Sequence, residues 1–532
     1  MTNRVEKMTV VGGGTSGWLS AMILNSYLNK SPDEQPVAVA LIESPNVPTI
    51  GVGEATIVTL PKEMRQLGID EKELFRRCNA SFKVSVRFGD WVLDGAGRPY
   101  SFYHPFNVPA GLGGYIPAYH YHRFGPHWPG MSLAESLLPN PALARAGKAP
   151  RLLDGRDYEG LIGYAYHIDA ALFAAFLREI ALARGIEHIR DDVADVVLGE
   201  QGEVSALQLK ERGRYPVQFV IDCTGFRNVV MGRLRTQPFI SLGDRLLNDR
   251  AIPVQIPHRD PTSIESCTRA TALGAGWVWR VPLFSRVGTG YVYSSAFRSD
   301  DEARAEFFSH LRTIGDLPAD APDPETRVIK MRVGYSEQAW VKNCVTIGLS
   351  GGFVEPLEAT AIYTIEAAAR WLVGHFPDRG CSPVLARRYN QLMTALYEEI
   401  SDFIHTHYLT SNRVEPYWVA ARKDTKVSDS LREKFELWRC RLPEELDTRL
   451  NSLFKYWSYI FVLHQKGFFK NIRFPLEGSV RRDHWDVFGR NLEVQKTQML
   501  RALPDHYALL TRLRGAEEGG AGSPGRIFAG MQ

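Results

Sequence analysis

Met8-Thr-Val-Val-Gly-Gly-Gly-Thr-Ser-Gly-Trp18 decides the fold of this chain. A short apolar run breaks into glycines, and beyond them Leu19, Met22, Ile23 and Leu28 recur at an approximately helical spacing. The segment therefore predicts strand, glycine turn and helix. Within it, Gly12-x-Gly14-x-x-Gly17 lets the backbone turn tightly and carry N–H groups at a helix N-terminus up to a pyrophosphate, with Thr15 and Ser16 on the same turn. A second apolar run, residues 37–42, ends at Glu43, a carboxylate placed to take a ribose hydroxyl. Its distance from Gly12 is somewhat longer than in the simplest fingerprint, but the order is that of a βαβ dinucleotide-binding unit.

The rest of the chain bounds what such a unit can belong to. With 532 residues, 44% hydrophobic and 23% charged, it can bury a large core, and no run of 18 apolar residues suggests a membrane span. Sixty-three Lys and Arg against 60 Asp and Glu leave +3 without a long basic block, which argues against nucleic acid and anionic membranes as partners. Cys78, Cys223, Cys267, Cys344, Cys381 and Cys440 are dispersed with no C-x-x-C pair, so no metal site or redox dithiol is expected. The polar lead, Met1 to Lys7, has no leader-like apolar stretch, and a cytoplasmic location is expected.

Working outward, Asp169 is placed to cap a helix bearing Leu172, Phe173, Phe176, Leu177 and Ile180 on its apolar face and ending near Gly185. Residues 193–198 and 204–209 read as a hairpin, and 217–221 as a strand before Asp222-Cys-Thr-Gly225. Residues 343–348 read as another strand, ending at Gly348. The glycine-rich loop Ser350 to Ala361 and a helix over 362–372 follow. A helix N-terminus there suits a flavin ring oxygen or a small anion. From Leu385 the periodicity becomes helical, with Leu392, Leu396, Ile400, Phe403 and Ile404 on one face. The expectation is an α/β Rossmann-type module over 1–380, a mostly helical module over 381–514, and a mobile tail over 515–532.

Several stretches resemble known families. The hairpin followed by Ile221-Asp222-Cys-Thr-Gly225 resembles the second nucleotide-contacting stretch of FAD monooxygenases, which favours FAD over a nicotinamide and adds Asp222 to the cofactor residues. Gly276-Trp277-Val-Trp279-Arg-Val-Pro282 resembles the Gly-Trp-x-Trp-x-Ile-Pro signature of flavin-dependent tryptophan halogenases, with Val281 in place of isoleucine. The same family shares the glycine triplet with Thr-x-Gly-Trp18, Gly51-Val-Gly-Glu-Ala55-Thr56, the Phe82-Lys83 pair and Phe353-Val-Glu-Pro-Leu-Glu358.

That resemblance implies an FAD module like that of the aromatic hydroxylases with a helical module packed on it. It implies reduced FAD, oxygen and halide (chloride or bromide) as reactants, and a separate NAD(P)H-dependent flavin reductase, since no second dinucleotide motif is visible. Hypohalous acid would pass through the protein to a small aromatic substrate, an indole or substituted indole, with Trp277 and Trp279 helping to keep flavin and substrate apart. Lys83 corresponds to the family lysine that meets the electrophile, by hydrogen bonding or as a haloamine. Glu358 corresponds to the glutamate facing it, with Glu355 the alternative. Thr360 and Ala361 match the Thr-Gly that holds halide, Ala361 departing from glycine and Ala359 from the usual serine. His104 and Phe106 resemble residues flanking the indole. Tyr456-Trp457 resembles a Phe-Trp pair completing the aromatic sandwich, although a core pair is an equal reading. Ser452 stands where tryptophan-binding members carry a glutamate for the substrate ammonium. A flavin aromatic hydroxylase and a non-catalytic flavoprotein are the competing functions.

Overall fold

β1 (Lys7–Val11) is the parallel strand around which the nucleotide-binding sheet is built, flanked by β2 (Ala38–Glu43) and by the Phe219–Asp222 strand. The computed structural model describes residues 4–31, 35–47, 53–234, 238–449 and 451–515. Gly51 and the tail beyond Gly515 lie outside them. The six-stranded sheet continues through Cys344–Thr346 on one side and ends at Glu187–Arg190 on the other. α1 (Thr15–Leu28) leaves the glycine turn and is buried along Gly17 to Leu24. Gly12 must be glycine, because its φ is +119° and a Cβ would lie 2.4 Å from the Cys223 carbonyl oxygen.

A second sheet of seven strands stands beside the first, with the Gly276–Pro282 strand in its interior and Pro99–Pro105 at one edge. Trp277 and Trp279 share one face of their strand, as the two-residue side-chain period requires. Gly290 lies opposite Trp279, and a Cβ there would come within 2.1 Å of the indole. A small sheet joins Gly53–Ala55, Ala165–Asp169 and Ser81–Lys83, and so brings Lys83 close to the Ala55-Thr56 stretch.

The predicted hairpin forms over Val193–Leu198 and Val204–Leu209. Asp169 caps the Ala170–Ala183 helix, accepting from the Ala171 and Leu172 amides. Leu172, expected on the apolar face, is instead 43% exposed, because the helix turns Phe173, Phe176 and Leu177 inward.

Among the described residues no strand follows Gly352–Phe353, and the long Pro383–Leu409 helix opens the helical portion. That portion is not confined to the C-terminal third. The helices Pro117–Phe124, Leu133–Leu137 and Asn140–Arg145 pack against Arg482–Ala502 and belong to the same layer. The last helix among the described residues, His506–Leu513, returns to the strand that carries Lys83. There the Phe82 amide donates to His506 Nε2 at 3.1 Å, while His506 Nδ1 donates to the Ile264 carbonyl at 2.8 Å.

Candidate active site

One cavity of about 650 Å³ runs between the two sheets. Gly12, Gly14, Thr15, Ser16, Glu43, Ala55 and Gly348 line it, as do Trp277, Trp279, Thr360, Ala361 and Lys83. Two helix N-termini converge on it, α1 and Ala361–Gly374, and Ser16 Oγ at the start of α1 donates to the Ile347 carbonyl just past the Cys344–Thr346 strand at 3.1 Å. Neither helix has a side-chain cap, so neither first turn spends its amide donors on a capping side chain. The glycines divide the work. A Cβ on Gly17 would fall 1.8 Å from the Gly12 carbonyl oxygen, so Gly17 serves close packing, whereas a Cβ on Gly14 meets no atom within 4 Å. Glu43 keeps its carboxylate at the cavity with His188 Nε2 2.8 Å away. Open space over Gly14, uncapped amides and an acidic side chain at the end of β2 fit a flavin dinucleotide.

Asp222 does not line this cavity. It is fully buried and accepts from the Thr224, Val230 and Met231 amides and the Thr224 hydroxyl, so it builds the loop that presents Cys223, Thr224 and Gly225 to the cavity. Sequence reasoning passed over Glu54, which lines the cavity and whose carboxyl is pushed up to about 7 by burial and by the charge of Asp169.

Lys83 is fully buried, with Nζ donating to the Thr56 carbonyl at 2.9 Å and lying 5.3 Å from the Phe106 ring centre. Burial pulls its pKa down to about 8, and the negative charge of Glu358 opposes that fall. Glu358 is buried between two imidazoles. His104 Nδ1 lies 3.0 and 3.1 Å from its two oxygens, and His407 Nε2 lies 2.9 Å from Oε1. Burial raises the carboxyl, but the two histidines outweigh it and hold Glu358 down at about 2. A carboxylate ionised at all working pH values thus shares its surroundings with a buried ammonium.

Glu355 has other work. Its Oε2 accepts from Asn248 Nδ2 at 2.7 Å, Tyr408 OH at 2.8 Å and Trp277 Nε1 at 3.0 Å, which ties the glycine-rich loop to the tryptophan strand. The loop then turns through Ala359, whose φ of +58° is unusual for a residue with a Cβ, before Thr360 starts the helix.

The aromatic residues are distributed unevenly. Phe106 lies under Lys83, and His104 lies on Glu358 with its ring 5.6 Å from Phe403. Tyr456 and Trp457 pack on each other at the start of Tyr456–Gln465, and Trp457 continues onto Phe461. The helical side instead reaches His104 through Phe454, stacked at 3.9 Å on Phe403. Ser452 and its flanks Leu453 and Phe454 carry no charge, but the Pro383–Leu409 helix brings a carboxyl to them. Glu399 accepts from the Phe454 amide at 3.0 Å and also from Ser452 and the Leu453 amide. His407, Phe403 and Glu399 lie four residues apart on that helix, a row that shows only once the partner segments are in place.

Fold and cavity define a flavin-type dinucleotide enzyme with a second, buried polar centre beside the cofactor cavity. The model of the family "Tryptophan halogenase" matches residues 7–479. Tryptophan 7-halogenase RebH of Lentzea aerocolonigenes is 38% identical over 463 residues, 82% of this chain and 83% of its own length. The crystal structure of a tryptophan halogenase from Shewanella frigidimarina superposes with a TM-score of 0.88 at 32% identity, covering 97% of this chain and 99% of that one. BrvH, a flavin-dependent halogenase from Brevundimonas sp. BAL3, gives 0.84 at 31% identity, covering 96% and 99%. The chain belongs to the tryptophan halogenase family and is a flavin-dependent halogenase.

Proposed function

We propose that this enzyme halogenates the ring of an indole or substituted indole with chloride or bromide, using FAD reduced by a separate NAD(P)H-dependent flavin reductase. The observation that carries the reading is a single cavity reaching from the Gly12–Gly17 turn to Lys83, with Glu358 close enough to oppose the fall of the Lys83 pKa. Reduced FAD, when bound, supplies with oxygen the two-electron oxidation that turns halide into hypohalous acid. Gly12, Gly14, Thr15, Ser16 and Glu43 would hold the nucleotide, with Ala55 and Gly348 lining the same cavity. The amides of Thr360 and Ala361, at the uncapped start of Ala361–Gly374, would bind halide. Trp277 and Trp279 wall the cavity and keep the organic substrate from the cofactor.

Lys83 receives the hypohalous acid. Its ammonium donates to the oxygen and polarises the O–X bond, so that the ring carbon forms the C–X bond while hydroxide leaves and takes the lysine proton as water. Glu358 accepts the proton lost from the same ring carbon and returns it to Lys83. The sum is Ar–H plus HOX giving Ar–X plus water. A carboxylate held at about 2 is a weak base, but the ring cation it faces is a strong acid. Phe106 supplies an aromatic face for the substrate beside Lys83.

Mass spectrometry of indoles and phenols incubated with the enzyme, FAD, a reductase and each halide tests this. A mass gain of one halogen on an indole is the expected result. A gain of one oxygen would make the protein a hydroxylase.

A further inference from the structure

We infer that His407 is a positioning residue for Glu358, its imidazole N–H fixing the place of the carboxylate. This inference rests on the role proposed for Glu358. His407 sits in the last turns of Pro383–Leu409 with no solvent exposure, and Nε2 lies 2.9 Å from Glu358 Oε1. Because the acceptor is a carboxylate, Nε2 carries the proton. Nδ1 has no hydrogen-bond partner among the described residues, which suits the neutral Nε2–H tautomer.

The ring is fixed from several directions. It stacks on Phe88 at 4.6 Å, with Phe403 at 5.3 Å and Trp91 at 5.8 Å set edge-on. A helix end leaves its last carbonyls without partners, and here Lys466 Nζ donates to the His407 carbonyl at 2.6 Å while lying 4.8 Å from the Trp91 ring centre. Burial together with the nearby charge of Lys466 keeps the imidazole neutral, so it acts as a fixed donor and leaves proton traffic to Glu358 and Lys83. His104 completes the grip from the Pro99–Pro105 edge strand. The charged or titratable groups facing Glu358 are therefore His104, His407, Lys83 and Lys466. One donor clamps the carboxylate from the sheet and one from the helical layer, so the rotamer of Glu358 depends on the docking of the two layers.

Three substitutions separate this role from mere packing. In His407→Gln the amide nitrogen can occupy the place of Nε2, in His407→Asn it is too short to do so, and His407→Phe keeps the ring and removes the donor. Each is compared with Glu358→Gln in single-turnover reactions started with reduced FAD, reading halogenated product per flavin oxidised from about pH 5 to 8. The expected result is near wild-type behaviour for His407→Gln. For Asn and Phe, product per flavin should fall about tenfold at every pH in this range, because Glu358 stays ionised but loses its fixed rotamer, with an unchanged substrate KM. Should the Phe variant fail to fold, the contrast between Gln and Asn carries the test. Equal losses in Gln and Asn, or no loss in Asn, would overturn the positioning role. If Glu358→Gln keeps full activity, it is the reading of Glu358 that fails instead.

Discussion

Replacing Glu358 by glutamine removes one charge and almost no volume, so its consequences can be worked through. Lowering the carboxyl from 4.5 to about 2 corresponds to about 3 kcal/mol of stability at neutral pH, at about 1.4 kcal/mol per unit. The sign follows from a depressed acid: this stability is present above about pH 4.5 and is lost as pH falls towards 2. Glutamine cannot ionise, so it should forfeit this term at all pH values. For a chain of 532 residues the entropy of unfolding is about 1 kcal/mol per degree, which turns the loss into a fall in Tm of about 3 °C. Lys83 loses the charge that opposes its burial, so its pKa should fall below about 8 and the ammonium population at pH 7 should shrink. Both effects converge on turnover, with product formation expected to drop about 10- to 1000-fold while FAD binding is retained. Differential scanning fluorimetry at pH 7 and 4, flavin titration and product quantification measure the three quantities. A variant that halogenates at the wild-type rate would refute the assignment of the acid–base role, and one whose Tm is unchanged at pH 7 would refute the electrostatic account of the histidine clamp.

Lys83→Ala is expected to abolish halogenation and leave FAD binding intact; more than a trace of product would remove Lys83 from the mechanism. Lys83→Met should also be inactive but melt no lower than wild type at pH 7, because a base lowered to about 8 carries its burial cost below that pH and sheds it only as pH rises towards 10.5. Gly14→Val should fold normally and weaken FAD binding at least about tenfold, since its side chain projects into open cavity rather than into protein. Indole should give a higher kcat/KM than free tryptophan at equal halide, because Ser452 lacks a charge and Glu399 is already engaged by three donors of its own chain; the reverse ranking would place an ammonium site elsewhere.

The nucleotide-binding half was largely legible in the sequence because its signals are local. The glycine turn, the Asp169 cap and the 193–209 hairpin each lie within a few tens of residues and form where periodicity and turn chemistry put them. The second centre was legible only through family resemblance, and then incompletely. His104 lies 254 residues from Glu358 and His407 lies 49 away, so no spacing rule joins them. Asp222 misled for a related reason: a carboxylate three residues before a glycine in a nucleotide-binding stretch can serve the ligand or its own loop, and the five donors around it, which include the more distant Ser350 hydroxyl, are what decide. The helices of residues 117–145 carry too little periodicity to announce that they complete a layer formed mainly by the C-terminal third.

Residues 355 to 361 pass, within seven positions, from the anchor on Trp277 through Glu358 to the uncapped amides at Thr360 and Ala361. This stretch behaves as a gauge block. The interval between the end where an electrophile would be made and the end where it would be spent is cut into one turn of chain, held rigid by a left-handed alanine and a buried carboxylate. On the function proposed above, breeding the enzyme towards a new substrate can therefore proceed by recarving the walls around Phe106. An insertion or deletion of a single residue inside the block would put the two ends out of phase, and no change in those walls could restore it.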